Sequence, residues 1–231
     1  MYEWLAFALS WDALWLVLFA LKPSLRRQML WASFFTMLTG LTEPIFVPRY
    51  WSPQSLFNLS ATTHFDVESL IFSWGVGGIG SALYEAILNL KHIRMDSCEQ
   101  KRERRWLHLL SLVSLPLVFS TLYFFTNINP IYCLTVGLLV GGLTAIACRP
   151  DLLWNALIGG LLFLGLYFTM FVLILAVFPD FINSWNHQAL SGIFVIGVPL
   201  EELTYAFAFG MMWSCVYEHI RYYTLPIKSS H

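Results

Sequence analysis

Seven long apolar runs divide this chain almost from end to end. They cover residues 3–21, 28–47, 67–90, 106–126, 130–148, 151–178 and 193–219. Because a helix needs about 20 mostly apolar residues to cross a bilayer, each run is long enough to span it. Charged residues make up only 12% of the 231 residues, too few to cover the surface of a water-soluble globule. The sequence therefore predicts an all-α polytopic membrane protein with seven transmembrane helices.

The basic residues predict how these helices are oriented. When loops are assigned to alternate sides, Arg49 lies alone on one side and the other 12 of the 13 lysines and arginines lie opposite. Basic residues concentrate in cytoplasmic loops, so we expect the N-terminus outside and the C-terminus in the cytoplasm. We expect an integral protein of the cell (plasma) membrane, without a cleavable signal peptide because Glu3 replaces the usual basic start. The net charge of −1 argues against a nucleic-acid partner.

Two parts of the chain resemble each other at a displacement of 133 residues. Residues 67–87 then align without a gap to residues 200–220, and Phe35-Thr36-Met37 aligns with Phe168-Thr169-Met170. We therefore predict two parallel three-helix repeats, residues 1–90 and 130–220. Residues 91–129 would form a basic cytoplasmic loop and a linking fourth helix, and residues 221–231 a cytoplasmic tail.

The same alignment pairs glutamates of the third and seventh helices. Glu68 pairs with Glu201, and Glu85 pairs with Glu218. Since parallel repeats place equivalent residues at the same depth, we expect Glu68 and Glu201 to face each other across a pseudo-twofold axis near the outer side. Glu85 and Glu218 are expected near the cytoplasmic ends, where an interfacial carboxylate usually has a structural role.

Several carboxyl groups fall within or beside the predicted spans, with no lysine or arginine in the same helix at that depth. They are Asp12, Glu43, Asp66, Glu68, Glu201 and Glu202. An ionisable group in hydrocarbon is costly, which favours a functional role. Clustered carboxyl groups can supply a general acid and a general base in one cavity. We predict Glu201, Glu202, Glu68, Asp66 and Glu43 as catalytic, the alternative being helix capping for the two pairs, whereas Asp12 could equally hydrogen-bond a neighbouring helix.

Aromatic side chains and one proline accompany these acids. Pro199 is predicted to kink the seventh helix and open space beside Glu201 and Glu202. The aromatic residues could stabilise a cationic intermediate through their ring faces, or simply pack and face lipid. The predicted substrate-binding residues are Phe72, Trp74, Tyr205, Phe209 and Pro199.

No cofactor or metal is expected from the sequence. The run Gly75-Val76-Gly77-Gly78-Ile79-Gly80 fits a dinucleotide fingerprint, but it lies inside a predicted span with no preceding strand. We predict that these glycines permit close helix packing instead. Cys98, Cys133, Cys148 and Cys215 are scattered and show neither a disulfide framework nor a zinc-site spacing.

The segment Pro199-Leu200-Glu201-Glu202-Leu203-Thr204-Tyr205 resembles the Pro-x-Glu-Glu-x-x-Phe motif of the heterodimeric-type lycopene cyclases, flavin-independent membrane enzymes of carotenoid synthesis. The first half carries a weaker copy, Asp66-Val67-Glu68-Ser69-Leu70-Ile71-Phe72, with Asp in place of proline and Ser69 in place of the second acid. In that family two three-helix units occur separately or fused through an extra helix. The resemblance implies the fused form, with Glu68, Glu201 and Glu202 as catalytic carboxyl groups.

The resemblance implies an intramolecular lyase or isomerase acting on a long apolar carotenoid. Glu201 or Glu202 would protonate a terminal double bond of lycopene, the cation would close a six-membered ring, and Glu68 would remove a proton without net redox change. Membrane lipid and other carotenoid-pathway enzymes are the further partners expected. Two alternatives stay open: a non-enzymatic carotenoid- or isoprenoid-binding protein, and a proton-coupled transporter with a water path from Glu201 to Glu85 or Glu218.

Overall fold

The computed structural model describes residues 2–95 and 105–225, and this part of the chain is almost entirely helical. The helices are α1 (Glu3–Leu21), α2 (Arg26–Thr39), α3 (Glu43–Phe46), α4 (Leu59–Thr63), α5 (Glu68–Leu88), α6 (Arg105–Phe125), α7 (Pro130–Cys148), α8 (Leu153–Val177) and α9 (Leu200–Arg221). Four short strands, β1 (Ile93–Arg94), β2 (Phe194–Val195), β3 (Val198–Pro199) and β4 (Tyr223–Thr224), form the antiparallel pairs β1–β4 and β2–β3. Much of the predicted basic loop (residues 96–104), with Cys98, and of the tail (residues 226–231) lies outside the described residues.

Five of the described helical segments are long and apolar enough to cross a membrane. They are Glu3–Leu21, Glu68–Leu88, Leu107–Phe125, Pro130–Cys148 and Pro150–Val177. Helix α2 has only 14 residues, and α9 is less apolar because glutamates lie near both of its ends. The prediction of an all-α membrane protein is confirmed at the level of these five candidate spans.

Two predicted spans differ from the observed helices, each at a proline. The predicted span 28–47 breaks after Thr39 into a 3-10 turn, Gly40–Thr42, and the short helix α3 with Pro44 in its first turn. The predicted seventh span starts only at Leu200, because Pro199 is the N-cap of α9 and belongs to strand β3. The prediction that Pro199 kinks this helix is wrong: the residue precedes the first turn, where its missing N–H costs nothing.

Helices α5 and α9 lie at the centre of the molecule. Helices α1 and α2 pack against α5, α7 and α8 pack against α9, and α5 and α9 contact each other. Helix α6 packs against α7. The close approach depends on glycine: a Cβ on Gly77 would lie 2.2 Å from Thr36 Oγ1, and one on Gly78 would lie 2.2 Å from Trp15 Nε1. The predicted packing role of the glycine run is confirmed.

Two connections in different halves of the chain have the same conformation. Lys22 ends α1 with φ −122° and ψ 73°, and a 3-10 turn, Pro23–Leu25, follows it. Arg149 ends α7 with φ −128° and ψ 79°, and the 3-10 turn Pro150–Leu152 follows it. The leucine that closes each turn is buried. These connections are 127 residues apart in the chain, not 133.

An amide side chain links two helices in each half by the same contact. Gln28 Nε2 of α2 donates a hydrogen bond to the Ser81 carbonyl oxygen of α5 at 2.5 Å. Asn155 Nδ2 of α8 donates to the Ser214 carbonyl oxygen of α9 at 2.8 Å. All four residues are buried, so each bond satisfies a donor that would otherwise be costly to remove from solvent.

Candidate functional site

A cavity of about 340 Å³ lies between the central helices and is the candidate functional site. Helices α1, α2, α3, α5, α6, α7, α8 and α9 all contribute to its wall. Eleven of its 25 lining residues are aromatic: Trp4, Phe46, Tyr50, Trp51, Phe72, Phe119, Tyr167, Phe171, Tyr205, Phe209 and Trp213. Among the lining residues, the carboxyl groups are those of Glu43 and Glu202. The cavity is therefore a largely apolar pocket that contains two carboxyl groups.

Glu202 is held in this pocket by three hydrogen-bond donors from different parts of the chain. Its Oε1 accepts from the Tyr50 hydroxyl at 2.6 Å and from Trp185 Nε1 at 2.9 Å, and its Oε2 accepts from the Tyr167 hydroxyl at 2.8 Å. The residue is only 5% exposed. Hydrogen bonds that these three groups donate to its oxygens stabilise a negative charge on the Glu202 carboxylate.

The loops that follow α3 and α8 join each other over this end of the cavity. The Ser52 N–H donates to the Ser184 carbonyl oxygen at 2.7 Å, and the Asn186 N–H donates to the Tyr50 carbonyl oxygen at 2.9 Å. These backbone bonds place Tyr50 and Trp185 together beside Glu202. Burial, followed by the nearby Glu202 charge, raises the pKa of the Tyr50 phenol well above its usual value, so its hydroxyl keeps the proton that it donates.

Glu201 points away from the cavity, although it is the neighbour of Glu202. Its Oε1 accepts from the Tyr132 hydroxyl at 2.5 Å and from the Ser191 N–H at 2.7 Å. Glu68 does the same in the other half, where its Oε1 accepts from the Leu56 N–H at 2.6 Å. Each glutamate thus ties the start of a central helix to the loop before it. We expected Glu68 and Glu201 to face each other. This expectation is wrong for their side chains, because each one bonds to a different loop.

Asp66 and Asp12 also lie outside the cavity lining. Asp66 Oδ1 accepts from the Ser69 N–H at 2.6 Å and from Trp4 Nε1 at 3.1 Å. The first of these bonds satisfies a free N–H in the opening turn of α5, which is the capping role weighed for this residue. Asp12 packs against α5, where a Cβ on Gly75 would lie 2.7 Å from its Oδ1.

Glu43 reaches the cavity from the short helix α3. The residue is 8% exposed and lies near Ser69, Trp51 and Asp66. Its Oε1 has no hydrogen-bond partner among the described residues. The two acids of the pocket therefore differ: Glu202 accepts three hydrogen bonds, whereas one oxygen of Glu43 is buried without a hydrogen-bond partner among the described residues.

The predicted substrate-binding residues are partly brought together. Phe72, Tyr205 and Phe209 line the cavity. Trp74 does not: it packs on Trp15 with 5.8 Å between ring centroids. Pro199 does not line it either, since it is held in the β2–β3 pair.

Sequence reasoning missed the donors around Glu202. Tyr50, Tyr167 and Trp185 are 152, 35 and 17 residues from Glu202, respectively, and no spacing in the chain links them. Ordinary aromatic residues in an aromatic-rich chain give no local signal of this role.

Two other groups of potential metal ligands occur in the described part of the chain, outside this cavity. They are Glu85 with His92 and Glu218, and His108 with Cys148 and His219. Glu85 and Glu218 lie near the ends of α5 and α9, as predicted, and both are buried, at 1% and 0% exposure.

Comparison with known proteins identifies the part of the chain that supplies Glu202. Residues 129–220 match the family model described as lycopene cyclase. This range covers α7, α8 and α9, including Tyr167, Trp185 and the Glu201-Glu202 pair. This part of the chain is therefore similar to the lycopene cyclase family. No curated protein and no solved structure gives a significant match.

The lycopene cyclase region contributes Glu202 and most of its donors, while Tyr50 and Glu43 come from outside the matched residues. The cavity is therefore completed by the part of the chain before residue 129. The family-model match supports a carotenoid cyclase activity in general terms, on a membrane protein whose pocket suits an apolar substrate.

Proposed function

We propose that the protein is a membrane carotenoid cyclase that converts the linear ends of a lycopene-type polyene into six-membered rings. The observation that carries this proposal is the pair Glu43 and Glu202 in one aromatic cavity, of which Glu202 lies in the lycopene cyclase region. A cavity of about 340 Å³ is near the lower end of the range for small-molecule sites, about 300–1,000 Å³. It suits one end of a long polyene, whose remainder would extend along the helices.

In the proposed reaction, Glu43 donates a proton to the terminal double bond of the polyene. The resulting tertiary cation is attacked by the next double bond of the correct spacing, which forms the ring carbon–carbon bond. Loss of a proton from a neighbouring carbon to the Glu202 carboxylate restores a double bond. One proton enters and one leaves, so the product is an isomer of the substrate.

The different surroundings of the two acids support this division of roles. Glu43 is buried, and its Oε1 has no hydrogen-bond partner among the described residues, so a neutral carboxyl that can donate its proton is favoured there. Glu202 has three donors that stabilise negative charge. The rings of Phe72, Tyr205 and Phe209 offer faces for the intermediate cation. This assignment replaces the initial hypothesis of Glu201 or Glu202 as acid and Glu68 as base.

We also propose the architecture of two parallel three-helix units, residues 1–90 and 130–220, with seven spans, a basic loop and linking helix at residues 91–129 and a tail at 221–231. The matching packing of α1 and α2 on α5 and of α7 and α8 on α9 supports this proposal. The equivalent turns and the equivalent amide contacts support it further. The turns, and the donors Gln28 and Asn155, are 127 residues apart, whereas the acceptors Ser81 and Ser214 are 133 residues apart. This difference implies an insertion of six residues before α9, so Phe35-Thr36-Met37 would not be equivalent to Phe168-Thr169-Met170.

We further propose that the end carrying Lys22, Arg149 and Arg221 faces the cytoplasm of the cell membrane, with the N-terminus outside. The cavity loops would then lie on the outer side. Helix α6 connects the two units and also contributes to the cavity wall through Leu115, Pro116, Phe119 and Ser120.

Expression in a lycopene-accumulating bacterial host tests the activity directly. Chromatography of the extracted pigments should reveal cyclised products of unchanged mass. Glu43→Gln should lower product formation about 10²- to 10⁴-fold, the usual contribution of a general acid. The matched variant Glu68→Gln should remain active, since its amide oxygen can still accept from Leu56. Bound pigment without ring formation would instead indicate a carrier and refute the proposal.

A further inference from the structure

A second cluster of polar side chains lies near the opposite ends of the two central helices. Glu85 is in the last turn of α5, Glu218 is in the last turn of α9, and His92 follows α5. One ligand atom from each of these three residues lies within 4.8 Å of the other two. The cluster is separate from the cavity, since none of the three residues lines it.

The chain positions this cluster by the same local structure in both halves. Asn89 and Tyr222 end their helices in the left-handed conformation, at φ 52° and 55°, and their N–H groups bond to the Glu85 and Glu218 carbonyl oxygens. Strand β1 then pairs with β4, which brings the segment containing His92 over the junction. Side chains from both halves therefore meet at a fixed point.

The two carboxyl groups are fully buried and lie against each other, and no other donor from the described residues reaches Glu85. His92 Nε2 lies 2.6 Å from Glu218 Oε1, and Gln28 Nε2 lies 3.3 Å from the same oxygen. Neither oxygen of Glu85 has a hydrogen-bond partner among the described residues, nor has the Gln28 Oε1. Removing two carboxylates from water is costly unless a positive partner lies between them.

The charge of Arg149 acts on Glu218, but its guanidinium group is bonded to Asp151. Its Nε and one terminal nitrogen bond to the two Asp151 carboxylate oxygens at 2.8 and 2.6 Å. Within the described residues, the ion pairs of this region are Arg149 with Asp151 and His92 with Glu218. The charge of Glu85 and Glu218 thus has no dedicated guanidinium or ammonium partner there.

We propose that Glu85, Glu218 and His92 bind one divalent transition-metal ion. An imidazole nitrogen together with carboxylate oxygens suits zinc, manganese or iron better than calcium or magnesium. A doubly charged ion also balances the two carboxylates, which leaves a neutral unit in a buried position.

The role of this ion would be structural and independent of the proposed cyclisation. It would clamp the ends of α5 and α9, and so hold the two halves together at the end remote from the cavity. The sequence alone predicted no metal site, because the three ligands come from two distant helices and a loop.

Metal uptake by the purified full chain tests this inference. The protein in detergent is stripped with EDTA, dialysed against Zn²⁺, and its metal content is measured by mass spectrometry. We expect one zinc ion per chain in the wild type. Glu85→Gln and Glu218→Gln should weaken binding by at least about 100-fold, since removal even of outer-shell partners can cost 10- to 100-fold. Asp180→Asn, which changes an exposed carboxylate, should bind as the wild type does.

A second measurement identifies the nitrogen ligand without removing either acid. Co²⁺ bound to the wild type should give an absorption spectrum that changes in His92→Gln and not in His64→Gln, a substitution of an exposed histidine. Absence of metal from the wild type would overturn the proposal and would point to a proton shared by the two carboxyl groups. Equal uptake by the wild type and Glu218→Gln would also overturn it and would direct attention to His108, Cys148 and His219.

Discussion

The adjacent residues Glu201 and Glu202 offer a sharp test of the proposed site, because they have the same chemistry and opposite environments. Glu202 lies in the cavity, whereas Glu201 holds the Ser191 loop and Tyr132. The perturbation is the same change at each position, Glu202→Gln and Glu201→Gln. Each variant removes one negative charge and keeps the size of the side chain.

The structure predicts that Glu202→Gln changes the charge of the site more than its hydrogen bonding. The amide oxygen can occupy the Oε1 position and accept from Tyr50 and Trp185, while the amide nitrogen donates to the Tyr167 hydroxyl. Stability should therefore change by no more than about 1 kcal/mol, the net value of one ordinary hydrogen bond. Loss of the base should reduce the rate about 10²- to 10⁴-fold, or about 2.7–5.4 kcal/mol in the barrier.

Glu201→Gln should leave the reaction close to wild type. Both of its hydrogen-bond donors contact Oε1, so one amide oxygen can accept both bonds. The assay is the initial rate of ring formation from lycopene in membranes that contain matched amounts of each variant, with thermal unfolding in detergent to verify folding. The assignment is refuted if Glu202→Gln cyclises normally, or if Glu201→Gln loses as much activity while remaining folded.

Two further predictions follow from the donors and the glycines. Tyr50→Phe removes one hydrogen bond to the Glu202 carboxylate, worth about 1.5–3 kcal/mol, so the cyclisation rate should fall about 10- to 100-fold with unchanged substrate uptake; a normal rate would exclude Tyr50 from the site. Gly77→Ala places a Cβ 2.2 Å from Thr36 Oγ1 and should destabilise the protein by about 1–3 kcal/mol, measured as a lower unfolding temperature. Gly165→Ala has no heavy atom within 4 Å of its new Cβ and should keep or raise that temperature, and equal losses in the two alanine variants would contradict the packing argument.

Patterns along the chain were sufficient for the helices that lie in one continuous apolar run. The predicted limits of α1 and α7 coincide with the observed ones, because a long apolar run bounded by polar or proline residues has few alternatives. The predicted helix limits were wrong at residues 40–47 and 193–199, where the apolar sequence continues into turns and a short strand pair. Hydropathy measures solvent preference and does not distinguish a helix from other buried backbone.

The residues of the candidate site were also predicted only in part from the sequence. Glu43 and Glu202 were both predicted as catalytic from their position in apolar surroundings, and both line the cavity. Glu68, Glu201 and Asp66 were predicted on the same grounds, but their oxygens accept hydrogen bonds from backbone N–H groups of nearby residues. A carboxyl group in an apolar stretch looks the same in the sequence whether it faces a cavity or satisfies a loop.

The sequence by itself determined the solvent of this protein and the chemistry available to it. Runs of apolar residues require a bilayer, and a few acids within them are too costly to be accidental. Only the tertiary structure decided which acids share a space. Consecutive residues on a helix point about 100° apart, so packing against Tyr50, Tyr167 and Trp185 directs Glu202 inward while Glu201 turns to a loop. The same assembly brings Glu85 and Glu218 together from helices 133 residues apart, because side-chain contact depends on how the helices pack and not on their order in the chain.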